Sequence, residues 1–236
     1  MKILGIESSS LVASVAVVTD DVLTAEYTVN FKKTHSQTLL PMIDEIAGML
    51  ELDLHTIDAI AAAGGPGSFT GLRIGTATAK GLGLALKKPL IHIPTLEAMA
   101  YNLWGTDRLV CPIMDARRNQ VYTGLYHVSC ELETVKEQCP MSVEELVSGL
   151  NDRMEPVIFL GDGVGAYRSQ IEELMKAPYD FAPAQSNRQR AASVAALGME
   201  YLKKGLTMEA AEFVPDYLRK SQAEREREER NGQMDA

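Results

Sequence analysis

Gly64-Gly65-Pro66-Gly67-Ser68-Phe69-Thr70-Gly71-Leu72-Arg73 stands between an apolar run at 57–63 and a segment of helical periodicity at 71–86. A strand that enters a glycine-rich turn and then a helix is the usual setting of a phosphate-binding loop. The spacing argues against one. A dinucleotide fingerprint needs glycine where Thr70 sits, and a Walker loop needs Lys-Ser/Thr after its last glycine, where this chain has Leu72-Arg73. The segment therefore reads first as a tight turn with a helix cap, supplied by Ser68 or Thr70.

The helix that follows carries small residues every four positions, at Gly71, Gly75, Ala79 and Gly83, with Thr76, Thr78 and Gly81 beside them. An interior glycine costs roughly 0.8–1 kcal/mol against alanine, so Gly75, Gly81 and Gly83 together cost about 2.5–3 kcal/mol. A helix whose backbone closely approaches another element recovers that cost. The stripe is consistent with packing inside its own lobe or across a subunit interface.

Outward from this segment the chain states one pattern twice. Residues 3–7, 14–19 and 22–30 read as three strands, followed by a helix capped at Ser36 with Leu39, Leu40, Ile43, Ile46, Ala47 and Leu50 on its apolar face. A strand at 57–63, the helix at 71–86, a strand at 89–93 and a helix at 95–104 complete the first half. The second half repeats the order. Strands fall at 109–114, 120–128 and 132–139, and a capping box, Ser142 to Glu145, opens a helix. A strand at 157–160, a helix at 166–175, a strand at 179–182 and a helix at 191–204 follow.

The duplication predicts an α/β chain of two mixed sheets with helices, the two-lobed actin-like ATPase (ribonuclease H-like) architecture. The expected lobes are residues 1–106 and 107–220, with a charged tail at 221–236. A doubly wound parallel sheet is the alternative, and the two opening hairpins argue against it.

Composition limits the function. The 236 residues are 46% hydrophobic and 23% charged, an ordinary globular balance. A formal charge of −9 makes the chain a poor polyanion binder by itself, so any RNA contact is expected through a partner. Three cysteines, Cys111, Cys130 and Cys139, form no C-x-x-C pair and suggest a reducing compartment, hence the cytoplasm. No run reaches the length of a membrane span, and no signal-peptide pattern opens the chain.

The residues of the Gly-Pro-Gly segment also carry a resemblance. Gly-Pro-Gly-Ser-Phe-Thr-Gly-Leu-Arg-Ile-Gly at 65–75 is similar to the signature of the TsaB family, accessory proteins of bacterial tRNA threonylcarbamoyladenosine synthesis. Further likeness lies in Ile3-Leu4-Gly5-Ile6-Glu7-Ser8-Ser9, in His35-Ser36 before Leu39-Leu40-Pro41, and in Pro94-Thr95-Leu96-Glu97-Ala98. Met114-Asp115-Ala116-Arg117 and Pro215-Asp216-Tyr217-Leu218-Arg219 extend it, so that it covers residues 1–219.

The resemblance implies a non-catalytic subunit that pairs with a TsaD-like catalytic homologue and a TsaE-like ATPase, and that can self-associate as a homodimer. Transfer of threonylcarbamoyl to adenosine 37 of tRNA would then occur in the complex, and tRNA would be met only there. The implied partner surface comprises His35, Leu39, Leu40, Gly71, Leu72, Arg73, Gly75, Thr76, Ala79 and Gly83.

Two histidines four apart serve as metal ligands in the catalytic relative, and Thr95 and Met99 stand at those positions here. No metal site is expected. Glu7 and Asp115, at the ends of the first strands of each half, are candidates for a residual nucleotide or anion site with Ser8, Arg117, Arg118, Gly161 and Gly163. No cofactor of its own is expected, with ATP or ADP at a partner interface the remaining nucleotide role. The competing classes are a stand-alone metallohydrolase or peptidase and a small-molecule kinase of the same fold.

Overall fold

The structure, a computed structural model, describes residues 1–219, so the expected charged tail lies outside the described residues. The N-terminal apolar run forms the middle of a five-stranded sheet. Strands β1 (Lys2–Glu7), β2 (Val12–Thr19) and β3 (Val22–Asn30) make an antiparallel meander. Strands β4 (Ala59–Gly65) and β5 (Leu90–Pro94) add in parallel, giving the order β3-β2-β1-β4-β5.

Alternation along β1 explains the layers. Leu4 and Ile6 pack with Leu39, Met42, Ile43 and Ile46 of helix α1 (His35–Met49) and with Ala79 of α2 (Phe69–Leu86). Ile3 faces the other way, toward Ala98 of α3 (Thr95–Tyr101). Both faces are covered, which is why β1 and β4 read as continuous apolar runs.

The second sheet repeats the plan. Strands β6 (Leu109–Asp115), β7 (Gln120–His127) and β8 (Glu133–Ser142) form the meander, and β9 (Val157–Leu160) and β10 (Tyr179–Phe181) add in parallel. The order β10-β9-β6-β7-β8 is the first sheet's order read from the other edge. Helices α4 (Val143–Arg153) and α5 (Asp162–Leu174) cover one face through Leu146, Val147, Leu150, Val164 and Ile171. Ser142 caps α4 by accepting from the Glu145 N–H at 3.1 Å.

Three sequence expectations need correction. The cap of α1 is Thr34 rather than Ser36, and it makes no side-chain bond. Helix α2 begins at Phe69, earlier than residue 71, because Ser68 caps it through the Gly71 N–H. The lobe division at 106/107 separates the two sheets, but the end of the chain does not stay with the second. Helix α6 (Ala191–Lys203) packs Val194, Ala195, Leu197 and Met199 on the first sheet, and Phe213 is buried in the first lobe's core. Burial of this apolar face favours the return, and Gly5, where a Cβ would lie 2.5 Å from the Ala191 carbonyl, leaves room for it. The first lobe therefore includes residues well beyond 190.

Helix α3 joins the lobes. Its Leu96, Met99 and Ala100 pack with Val110, Met114, Tyr126 and Leu160 in an apolar cluster of the second lobe. Away from this joint the carboxyl ends of β1 and β6 and the starts of α2 and α5 converge on a cleft.

Candidate functional site

The cleft between the lobes has a volume of about 820 Å³. Its walls include Ser9, Lys33, His35 and the start of α2 from one side, and Asp115, Arg117 and Asp162 from the other. The C-terminal residues Asp216–Arg219 also line it. Lys33, Arg117 and Arg219 oppose Asp115, Asp162 and Asp216, so the walls are mixed in charge.

Glu7, at the end of β1, is 1% exposed and accepts the Ser9 N–H at 2.6 Å. Burial pushes its carboxyl up to about 7, the Ser9 hydrogen bonds oppose this, and the nearby Asp162 charge adds to it. Asp162, at the start of α5, is also raised by burial, against a bond from Gln189 Nε2 at 3.3 Å. Two acidic groups with disfavoured charge thus lie close together, Asp162 on the cleft wall and Glu7 buried behind it.

The remaining sequence candidates are engaged by the chain itself. Ser8 Oγ donates to the Gly71 carbonyl at 2.9 Å, and a Cβ at Gly75 would meet that hydroxyl at 2.1 Å. Ser8 thereby ties α2 to β1. Asp115 accepts from the Arg117 N–H at 2.8 Å and from Tyr167 Oη at 3.0 Å. Arg117, Arg118 and Asn119 all have positive φ, a tight turn tied down by Asn119 Nδ2 donating to Glu144 at 2.7 Å. The Arg117 and Arg118 side chains are exposed. Gly161 has φ +109, and a Cβ there would lie 2.1 Å from the Ile113 carbonyl; at Gly163 the distance is 3.0 Å. These two glycines let α5 start against β6, and that packing accounts for them without a phosphate.

Thr95 and Met99 are buried, and the Met99 methyl lies against Gly161 in the apolar joint. Among the described residues no three His, Cys, Asp or Glu side chains come together in a metal-binding group.

The second candidate surface is the pair α1 and α2. Here the small-residue stripe turns inward. Leu39, Leu72 and Ala79 are core residues, and Gly71, Gly75, Thr76 and Gly83 are buried. A Cβ at Gly71 would meet the Ser8 carbonyl at 2.1 Å, and one at Gly83 would meet Leu90 at 2.9 Å. Intramolecular closeness accounts for these glycines within the first lobe. His35 also faces inward, with Nε2 donating to the Ser10 carbonyl at 2.8 Å.

Leu40 and Arg73 do lie on the surface, and Leu40 is 55% exposed. The sequence reading missed the row beside them. Ala77, Gly81 and Leu84 follow Arg73 along the outer face of α2, and Met49 stands at the end of α1. A Cβ at Gly81 would meet nothing within 4 Å, so no packing among the described residues requires a glycine there. That residue was legible as one more small residue in the helix; its face was not.

Comparison with known proteins adds the following. Residues 26–227 match the family model described as TsaD, tRNA N6-adenosine threonylcarbamoyltransferase. The chain is 34% identical over 228 residues to the tRNA threonylcarbamoyladenosine biosynthesis protein TsaB of Bacillus subtilis (strain 168), covering 95% of this chain and 96% of that one. The TsaB protein of Haemophilus influenzae (strain ATCC 51907 / DSM 11121 / KW20 / Rd) is 36% identical over 202 residues, 80% of this chain and 81% of its own. Among solved structures, a Pseudomonas aeruginosa protein described as similar to the peptidase YeaZ superposes with a TM-score of 0.80 at 26% identity, covering 92% of this chain and 99% of that one. An Arthrobacter polyphosphate/ATP-glucomannokinase superposes at 0.52 with 11% identity over 86% of this chain and 99% of that one, a likeness of fold alone. The duplicated α/β architecture is therefore the actin-like, ribonuclease H-like one.

Proposed function

Because the chain belongs to the TsaB family of tRNA threonylcarbamoyladenosine biosynthesis proteins, we propose that it is a non-catalytic subunit docking a TsaD-type homologue through the outer face of α1 and α2. The observation that carries this is Gly81. It stands mid-helix on the exposed face that also carries Leu84 and Arg73, costs roughly 0.8–1 kcal/mol of helix propensity, and, like Gly48, Gly149 and Gly165, offers a Cβ nothing to meet within 4 Å among the described residues. Leu84 at 66% exposure supplies apolar area one turn along the same helix, Leu40 is exposed on α1, and Arg73 supplies charge on the same face of α2. A glycine there allows a partner helix to approach the backbone closely.

The non-catalytic part of the proposal draws on the cleft. Ser8, Asp115, Gly161 and Gly163 are engaged in intramolecular packing and bonding, and Glu7 is sealed from solvent. In this proposal a TsaE-type ATPase joins the pair, tRNA is met only through the assembly, and self-association in the absence of the homologue uses the same helices. The site of action is the cytoplasm; no helix among the described residues is long and apolar enough to cross a membrane.

The test is to mix the purified chain with its TsaD-type homologue and follow complex formation by light scattering and calorimetry. A complex at micromolar concentrations is expected, weakened at least about tenfold (~1.4 kcal/mol) by Gly81→Leu. No complex with the unaltered chain, or full affinity with Gly81→Leu, refutes the proposed surface.

A further inference from the structure

The segment that follows α6 returns to the cleft. Phe213 is anchored in the first lobe's core, and Lys80 Nζ donates to its carbonyl at 3.2 Å. From there the chain runs along the mouth of the cleft. The Asp216 N–H donates to the Gly64 carbonyl at 2.7 Å, and Asp216 Oδ2 lies 3.4 Å from His92 Nε2. The Tyr217 ring stacks on Phe69 with centroids 4.5 Å apart, and its hydroxyl accepts from Arg73 Nε at 3.3 Å. The guanidinium of Arg73 in turn lies 4.0 Å above the Phe69 ring. Arg219 then crosses to the second lobe, its guanidinium donating to the Ala116 carbonyl at 2.7 Å.

Gly64 and Gly65 are shaped to receive this segment. A Cβ at Gly65, where φ is +123, would lie 2.5 Å from the Asp216 carbonyl. One at Gly64 would lie 2.0 Å from His92 Nε2, the atom that faces Asp216. Of the pair that first suggests a phosphate loop, Gly65 is thus kept free of a side chain for a strap some 150 residues further on, and Gly64 for the His92 ring that the strap's Asp216 faces.

We propose that residues 213–219 are a latch that holds the two lobes together across the cleft mouth and couples their separation to the start of α2. The lobes are joined on one side by the apolar contacts of α3, a broad packed joint. Across the mouth the strap, held to the first lobe by its polar and aromatic contacts, reaches the second through the Arg219 bond to the Ala116 carbonyl, which opens at far smaller cost than the packed joint. Because Arg73 belongs both to the latch and to the rim of the α1/α2 face, a change at that face reaches the cleft through Tyr217. The latch itself does not depend on the docking proposal.

Hydrogen exchange on the full chain, read by mass spectrometry, tests it with two variants that cut opposite ends. Tyr217→Ala removes the stack in the first lobe and leaves the Phe213 anchor in place. It is expected to speed exchange at least roughly fivefold at the amides of Ala116 and Gln120, in the second-lobe turn that the strap reaches through Arg219. Arg219→Ala removes the crossing bond and is expected to speed exchange of the Asp216 amide, which is bonded to the first lobe. Changes confined in each variant to the lobe that lost its contact overturn the proposal. Should Tyr217→Ala lose cooperative unfolding, Arg219→Ala decides alone, since the recorded bond it removes is a single one to a carbonyl.

Discussion

Replacing two glycines of α2 by alanine, one at a time, should change stability in opposite directions. At Gly81 the new methyl meets nothing within 4 Å, so the expected gain is the helix propensity alone, roughly 0.8–1 kcal/mol. For a chain of this size that is a rise in Tm of about 2–4 °C. At Gly75 the same propensity gain is offset by a methyl 2.1 Å from Ser8 Oγ. The serine must rotate away and give up its bond to the Gly71 carbonyl, a loss of about 1 kcal/mol, and crowding adds roughly 1–3 kcal/mol. The net expectation for Gly75→Ala is a destabilisation of about 1–3 kcal/mol. Urea and thermal unfolding of each variant measure both values. Equal stabilisation by the two alanines would refute the inward orientation of the stripe, and with it the assignment of the outer row to docking. Gly81→Leu then separates folding from binding: it should keep the gain in stability and lose the partner.

Three further outcomes are expected. Glu7 has a folded pKa raised to about 7 from 4.5, so the folded chain holds its proton more tightly and stability falls as pH rises from about 4.5 to 7. Glu7→Gln should abolish most of that slope in urea unfolding and be the more stable form at pH 8, by up to about 3 kcal/mol; an unchanged slope would place the shift elsewhere. Burial pushes the Cys111 thiol up to about 12, whereas Cys130 is exposed, so a disulfide reagent at neutral pH should modify Cys130 in the native chain and Cys111 only on unfolding. Ser142→Ala should cost about 1 kcal/mol by removing the cap of α4 while leaving partner affinity unchanged, a control in the other lobe from the α1/α2 face.

Local chemistry was legible and long-range chemistry was not. Alternation and small-residue turns place nearly every strand to within a few residues, and the repeated order of elements predicts the repeated sheet order. The cap at Ser142 follows from three residues of sequence. What the sequence could not show is which way α2 faces, because the answer lies in Ser8, which is 63 residues before Gly71. The same limit hid the return of α6 to the first sheet, where Gly5 makes room for the Ala191 carbonyl. His35 looked like a surface residue of a partner helix, and its bond to Ser10 turns it inward.

The Gly-Pro-Gly segment shows how one set of residues can satisfy two incompatible interpretations. Glycines after a strand admit a phosphate, and they equally admit a backbone or a ring from another part of the chain. The space at Gly64 is filled by His92, that at Gly65 by Asp216, and that at Gly71 by the Ser8 carbonyl. Each filling group belongs to this chain, so the close approaches that would otherwise receive a nucleotide hold the lobes and α2 in place. Gly81 alone in α2 faces outward with its space unfilled. Gly48 of α1, Gly149 of α4 and Gly165 of α5 are open in the same way among the described residues, so what assigns Gly81 to a contact outside the molecule is the company of Leu84 and Arg73 on its face of α2.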